Sequence, residues 1–256
     1  MRKNHILTLC LVLLTERGME RENMIYAQIL AGGKGTRMGH VPMPKQFLSL
    51  ADKPILIHTI EKFVLERRFD AIIVVCPIDW LSHTNHLIKK YIHDNRVQVV
   101  VGGSDRNDTL MKGVQFIRDH YGTHEDDILI THDAVRPFVT QRMINDNIAA
   151  VLMHDAVDTV IPATDTIIQS TTTTVDAIPV RSTMYQGQTP QSFKISVLVK
   201  AYDSLTTDQK ASLTDACKIV LLAGYPVSRI RGEAFNIKIT TPYDLRVATA
   251  LIEERS

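Results

Sequence analysis

The chain has 256 residues, 45% of them hydrophobic and 22% charged, with 12 Gly and 10 Pro. At about 150 residues per domain, with single α/β domains reaching about 250, this describes one compact unit with a sizeable core and excludes disordered, collagenous or disulfide-rich classes. Its 29 bases and 28 acids leave a formal charge of +1, so no overall field exists to hold nucleic acid or an anionic membrane, and phosphate chemistry would need a local cluster of bases.

Residues 1–23 read differently from the rest of the chain. Arg2 and Lys3 precede an apolar run from Ile6 to Leu14, which has the charge and length of a signal-peptide core. It lacks a small-x-small cleavage site and is shorter than the ~20 apolar residues of a membrane span. We therefore expect residues 1–23 to be an N-terminal extension that reflects a misassigned start upstream of Met24, the alternative being an ordered or membrane-touching segment, with no stable membrane insertion and a single domain over 24–256. From there short β-branched runs alternate with helical patterns: Met24–Leu30 then Pro54–Glu66, Ala71–Cys76 then Asp79–His93, Val97–Val101 then Asp108–His120, Ile128–Thr131 then Arg142–His154. Such alternation implies crossover connections and an α/β, doubly wound, mostly parallel sheet covered on both faces. After Ala156–Pro162 the rhythm breaks into a Thr-rich stretch, about residues 164–186, which predicts a projecting β-arm. Helix returns at Leu213–Leu222, extended chain at Pro226–Ile230 and Ile237–Ile239, and a closing helix at Tyr243–Glu254 after Thr241-Pro242. Cys10, Cys76 and Cys217 are odd in number and form no C-x-x-C pair, which points away from a disulfide framework or zinc site and toward a reducing, cytoplasmic setting.

Ligands of open α/β sheets bind beyond the carboxyl ends of the strands. Beyond the first strand lies Leu30-Ala31-Gly32-Gly33-Lys34-Gly35-Thr36-Arg37-Met38-Gly39, followed by Pro44-Lys45-Gln46. Clustered glycines let main-chain N–H groups converge on phosphate oxygens, while Arg37 adds a forked donor and Lys45 a point charge. A P-loop is excluded because Gly35 follows Lys34 where Ser or Thr is required, and the dinucleotide pattern G-x-G-x-x-G fails at Met38. Gly102-Gly103-Ser104-Asp105-Arg106-Asn107 follows the third strand, Thr131-His132-Asp133-Ala134-Val135-Arg136-Pro137 the fourth, and Lys238 comes from near the carboxyl terminus. Arg37, Lys45, Arg136 and Lys238 would then face one cleft, as a polyphosphate site requires. Judged singly, the loop would equally suit a flexible glycine turn, Asp133 a turn residue and Lys238 a solvated edge base. His83 and His86 read as surface histidines.

Taken together, from Met24 to Glu254, these residues resemble the cytidylyltransferases that act on sugar-alcohol phosphates. That family comprises methylerythritol-phosphate enzymes of isoprenoid synthesis and ribitol-5-phosphate enzymes of wall teichoic acid synthesis. The stretches Leu-Ala-Gly-Gly-Lys-Gly-Thr-Arg-Met-Gly, Pro-Lys-Gln-Phe-Leu, Thr-His-Asp-Ala-Val-Arg-Pro-Phe, Tyr-Gln-Gly-Gln-Thr-Pro-Gln-Ser-Phe and Leu-Thr-Asp-Ala-Cys-Lys look most like the ribitol branch.

The resemblance implies a cytoplasmic nucleotidyltransferase that joins CTP to D-ribitol 5-phosphate with Mg2+. Arg37 and Lys45 would meet the triphosphate and Lys238 the α-phosphate. Leu30, Ala31, Gly32, Gly33 and Gly35, with Gly103, Ser104, Asp105, Arg106, Asn107, Asp108 and Thr109, would cradle the nucleotide, Gly103 being bare to leave room for the base. Asp133, Arg136, Thr166, Arg181 and Thr189 would hold the polyol phosphate, and Asp133 is the candidate if the metal has a protein ligand. Thr166 and Arg181 would lie on or beside the arm and reach a neighbouring subunit, giving a homodimer with composite sites. Two departures from the methylerythritol pattern stand out: one extra residue between Arg37 and Lys45, and Phe235 where an acid often precedes Asn-Ile-Lys. The alternatives are a methylerythritol-phosphate enzyme and a non-catalytic CTP-binding protein.

Overall fold

The computed structural model describes residues 23–33 and 43–254, and the expected extension lies, but for its last residue, outside them. Among the described residues the main sheet has seven strands in the order β5-β4-β1-β6-β8-β7-β9. β1 (Ile25–Leu30) runs parallel to β4 (Ala71–Cys76) on one side and β6 (Ile128–Asp133) on the other, and β5 (Val97–Val101) extends the parallel set beyond β4. β2 (Ser49–Leu50) and β3 (Lys53–Pro54) make a separate small ribbon.

The central strands are mostly apolar because successive side chains point to opposite faces and both faces are covered; Gln28 is buried among them by donating its amide to the Leu110 carbonyl at 3.0 Å. Ala27, Ile29, Ile72, Val74 and Ile130 pack on one face against α1 (Ile55–Val64), α2 (Leu81–Tyr91) and α4 (Gln141–Met153). Tyr26, Leu30, Ala71, Ile73, Val75 and Leu129 pack on the other against α3 (Arg106–Tyr121) and α5 (Ile195–Ser204). A strand buried on both faces has no solvent side on which polar residues would be favoured.

The second half of the sheet departs from the sequence expectation. β8 (Tyr185–Lys194) enters antiparallel between β6 and β7 (Ala156–Pro162), and β9 (Ser228–Arg231) then pairs parallel to β7. Periodicity misses β8 because its buried side chains are polar: Gln188, Thr189, Gln191 and Ser192 are all at most 6% exposed. Each makes at least one hydrogen bond, Ser192 to Asn147 at 2.6 Å and Gln191 to Asp158 at 2.9 Å, for example, which offsets much of the desolvation penalty that normally keeps such residues outside. α5 directly after it is likewise absent from the sequence expectation. The Thr-rich stretch is exposed, but its pairing is the isolated bridge Gln169–Ala177 and not a strand ladder.

The expected helix at Leu213–Leu222 starts only at Ala216 (α7, Ala216–Leu222), where Asp215 accepts the Cys217 N–H as cap. A shorter helix, α6 (Thr207–Ala211), precedes it. Residues 237–239 form no strand; Ile239 N donates to Val135 O at 2.9 Å. The closing helix, α8 (Pro242–Glu253), begins with Pro at its first turn and a reciprocal cap between Thr241 and Asp244. No helix among the described residues is long and apolar enough to cross a membrane.

Candidate active site

The carboxyl ends of β1 and β6, with the loop after β5, open into a cavity of about 410 Å³, within the range of small-ligand sites. It lies where the chain, having run outward from β1 to β4 and β5, crosses back to β6 on the other side of β1. Leu30, Ala31, Gly32 and Gly33 line one side and Lys45 with Gln46 another. Ser104, Asp105, Arg106 and Thr109 come from the start of α3, and Asp133, Ala134, Val135 and Lys238 complete it. Gly35 and Arg37 lie outside the described residues.

Lys45 is delivered by a short 3-10 turn, Lys45–Phe47. Gln46, in the same turn, donates its buried amide to the Ala31 carbonyl at 2.7 Å, tying that turn to the first loop. Phe47 stacks on Trp80 at 5.0 Å and meets the edge of His83, so His83 serves as packing.

The segment 103–109 is organised largely by its own bonds. Asp105 caps α3 by accepting from the Asn107 and Asp108 N–H groups, and Asp108 turns back to accept from Ser104 N at 2.8 Å. A Cβ on Gly103 would stand 2.2 Å from the Asp108 carboxylate, so the loop itself demands glycine there, independently of any bound base. Asn107 is buried and donates to the Leu213 carbonyl at 3.2 Å, away from the cavity lining. The Thr109 hydroxyl accepts from Gly103 N at 3.1 Å, and a Cβ on Gly32 would come within 3.0 Å of it. The first loop and α3 therefore close on each other.

Asp133 is the electrostatic centre. Lys238 Nζ lies 2.9 Å from its carboxylate, Arg136 Nε 3.3 Å and Arg106 Nη2 3.7 Å. Burial alone would raise this carboxyl, but Lys238, Arg106 and Arg136 outweigh it and hold it well below the usual carboxylate range. Three cations around one anion leave a local positive excess, and two of them, Lys238 and Arg106, line the cavity. The same surplus argues against Asp133 as a magnesium ligand, since a dication placed there would meet three positive side chains. The grouping of Asp158, Asp215 and Cys217, whose ligand atoms lie within 4.8 Å of one another, is no better suited, because the Gln191 amide nitrogen donates to both carboxylates.

Arg136 does not line the cavity. Its Nη1 donates to the Asn236 carbonyl at 2.8 Å, and the Asn236 amide donates to Thr189 O at 2.9 Å, which fastens the segment bearing Lys238 to β8. Phe235 packs into an apolar cluster with Leu50, Ile55, Val135, Phe138, Ile239 and Ala248. Thr189 is buried directly behind Asp133, accepting from its N–H at 3.1 Å. Thr166 and Arg181 are exposed on the Thr-rich excursion and line no part of their own chain's cavity. Gln46, His132, Gln188 and Asn236 had no assigned role in the sequence.

A doubly wound sheet that brings a glycine loop, a helix start and clustered bases to one cavity defines an α/β nucleotidyltransferase. The profile of the 2-C-methyl-D-erythritol 4-phosphate cytidylyltransferase family matches residues 25–254, and the chain belongs to that family. It is 70% identical over 233 residues to the ribitol-5-phosphate cytidylyltransferase of Lactiplantibacillus plantarum, covering 91% of this chain and 100% of that one. Among solved structures it is similar to the 4-diphosphocytidyl-2C-methyl-D-erythritol synthase of Anaerococcus prevotii, with 26% identity, TM-score 0.76 and coverage of 90% and 96%. The 2-C-methyl-D-erythritol 4-phosphate cytidylyltransferase of Francisella tularensis is similar at 28% identity, TM-score 0.75 and coverage of 89% and 99%.

Proposed function

We propose that this protein transfers the cytidylyl group of CTP to D-ribitol 5-phosphate, giving CDP-ribitol and diphosphate. A phosphate oxygen of the polyol attacks the α-phosphorus in line, and the bond from that phosphorus to the bridging oxygen of the leaving diphosphate breaks. The nucleophile is already anionic at neutral pH, so the protein's task is alignment and positive charge, not proton removal. The cation cluster about Asp133 supports this reading most directly, and the 70% identical relative supports ribitol as the alcohol.

In this reading Lys45 and Lys238 act on the triphosphate from opposite sides of the cavity, joined by Arg37, while Asp133 lies toward the polyol phosphate and Arg136, outside the lining, holds Asp133 in place. Magnesium would arrive bound to CTP, held by phosphate oxygens and water, and would offset the charge of the triphosphate. The excursion exposes Ile168, Val175, Ile178, Val180 and Tyr185. Such a row of apolar side chains favours cover by a second copy of the chain, which would carry Thr166 and Arg181 to the neighbour's site. The product suits wall teichoic acid synthesis in the cytoplasm.

A diphosphate-release assay with CTP and a panel of polyol phosphates tests the proposal. Turnover should be fastest with ribitol 5-phosphate. Faster turnover with methylerythritol 4-phosphate would reassign the alcohol, and CTP binding without turnover on any polyol would make the protein a binding module.

A further inference from the structure

We propose that His132 is a positioning residue for the cytidylyl transfer, and that Thr189 acts through it and not as a donor to the polyol phosphate. The inference rests on the proposed transfer of a cytidylyl group to a polyol phosphate. His132 is fully buried at the end of β6, its ring 5.1 Å from that of Phe63. Nε2 lies 3.0 Å from the Arg136 carbonyl. A carbonyl can only accept, so Nε2 carries the ring proton.

Burial pushes the imidazole down to about 4, so at neutral pH it holds a single proton and Nδ1 is bare. The group 2.9 Å from Nδ1 is the Thr189 hydroxyl, which must therefore donate to it. The Thr189 oxygen in turn accepts from Asp133 N at 3.1 Å.

The result is one hydrogen-bond chain: Asp133 N–H to Thr189, Thr189 O–H to His132, His132 N–H to the Arg136 carbonyl. It starts and ends in the same short turn, which is also closed by Arg136 N donating to Asp133 O at 3.1 Å. That turn carries the acid and one of the bases of the site, so its shape sets where both stand. The single hydroxyl proton of Thr189 is committed to His132, and none remains for a phosphate oxygen.

The test is a double-mutant cycle on the full chain, with kcat and KM for the polyol phosphate and Kd for CTP measured separately. Thr189→Val should lower kcat/KM for the polyol phosphate on the order of 10- to 100-fold, as displaced reactive groups do, with CTP affinity within about twofold. Thr189→Ser should restore near-normal constants. His132→Phe should behave like Thr189→Val, and the double variant should be no worse than the poorer single one. Effects that multiply in the double variant, or unchanged kinetics in His132→Phe, would overturn the proposal.

If His132→Phe does not fold, equal constants for Thr189→Val and Thr189→Ser still refute the proposal, and the proton position on the imidazole separates action through His132 from direct donation. Nitrogen-15 NMR of the imidazole gives a readout independent of turnover: a proton on Nε2 is expected, and one on Nδ1 overturns the chain of bonds. Wild-type turnover on the substrate panel tests the function separately. Should another polyol phosphate prove the better substrate, the same cycle run with it still tests His132.

Discussion

Replacing Asp133 by Asn removes the anion that Lys238, Arg136 and Arg106 share at 2.9, 3.3 and 3.7 Å. At an effective dielectric of about 20, a pair near 3 Å attracts by about 5 kcal/mol before desolvation is counted. Breaking a buried pair from one side typically costs about 3–5 kcal/mol. The Lys238 side chain is 36% exposed, which places this case at the lower end, about 3 kcal/mol. For a domain of this size that corresponds to a fall in Tm of about 6–12 °C.

The folded Asp133 carboxyl sits below its unfolded value of about 3.9, so its stabilisation is complete above that pH and is lost only as pH falls below it. A comparison at pH 7.5 therefore reads the whole effect. Because the three bases would then lack a counter-ion, the variant should gain more than the wild type from added CTP or inorganic phosphate. Thermal melts with and without these anions check both points. A variant that melts within about 1 °C of the wild type without ligand would refute the view of Asp133 as the anchor of this cluster.

Other substitutions probe different parts of the argument. Burial, reinforced by the charge of Asp215, raises Asp158 to about 6. Its folded value thus exceeds the unfolded one, and stability falls as pH rises from about 4 to about 6. Asp158→Asn should accordingly stabilise the protein at pH 7.5 by about 1–3 kcal/mol and flatten that window, as urea unfolding at pH 4.5 and 7.5 would reveal. Gly103→Ala brings a Cβ to 2.2 Å from the Asp108 carboxylate, a clash costing about 1–3 kcal/mol. Adding Asp108→Ala should restore both Tm and CTP affinity; recovery of Tm without recovery of CTP affinity would return the glycine requirement to the nucleotide. Lys45→Ala should lower turnover about 100-fold or more with an unchanged melt, and a near-normal rate would remove Lys45 from the reaction.

The first half of the fold was legible because Ala71–Cys76 is an unbroken run of buried apolar residues and the half-buried edge strand Val97–Val101 carries four valines, so both could be bounded to the residue from β-branched, hydrophobic pattern. β8 was not, because pattern reading equates burial with apolar side chains, whereas Gln188, Thr189, Gln191 and Ser192 are buried through hydrogen bonds whose partners are remote in the chain. The site followed the same division. Lys45, Asp133 and Lys238 could be brought together by the rule that loops at strand carboxyl ends converge, and they do line one cavity. The pairing of Arg106 with Asp133 and the internal reason for Gly103 depend on side-chain directions that spacing does not encode.

Among the described residues β7 finds its sheet partners only in β8 and β9, both of which come after it in the chain. During synthesis it must therefore wait, together with the open side of β6, until residues 185–194 emerge and slot between the two. Unsatisfied strand edges in that interval invite pairing with the wrong neighbour. The segment that closes the gap also fastens Lys238, so a ribosome-bound fragment ending before it would possess the glycine loop yet lack the base that completes the cavity. Catalytic competence is thereby deferred to the last stage of folding.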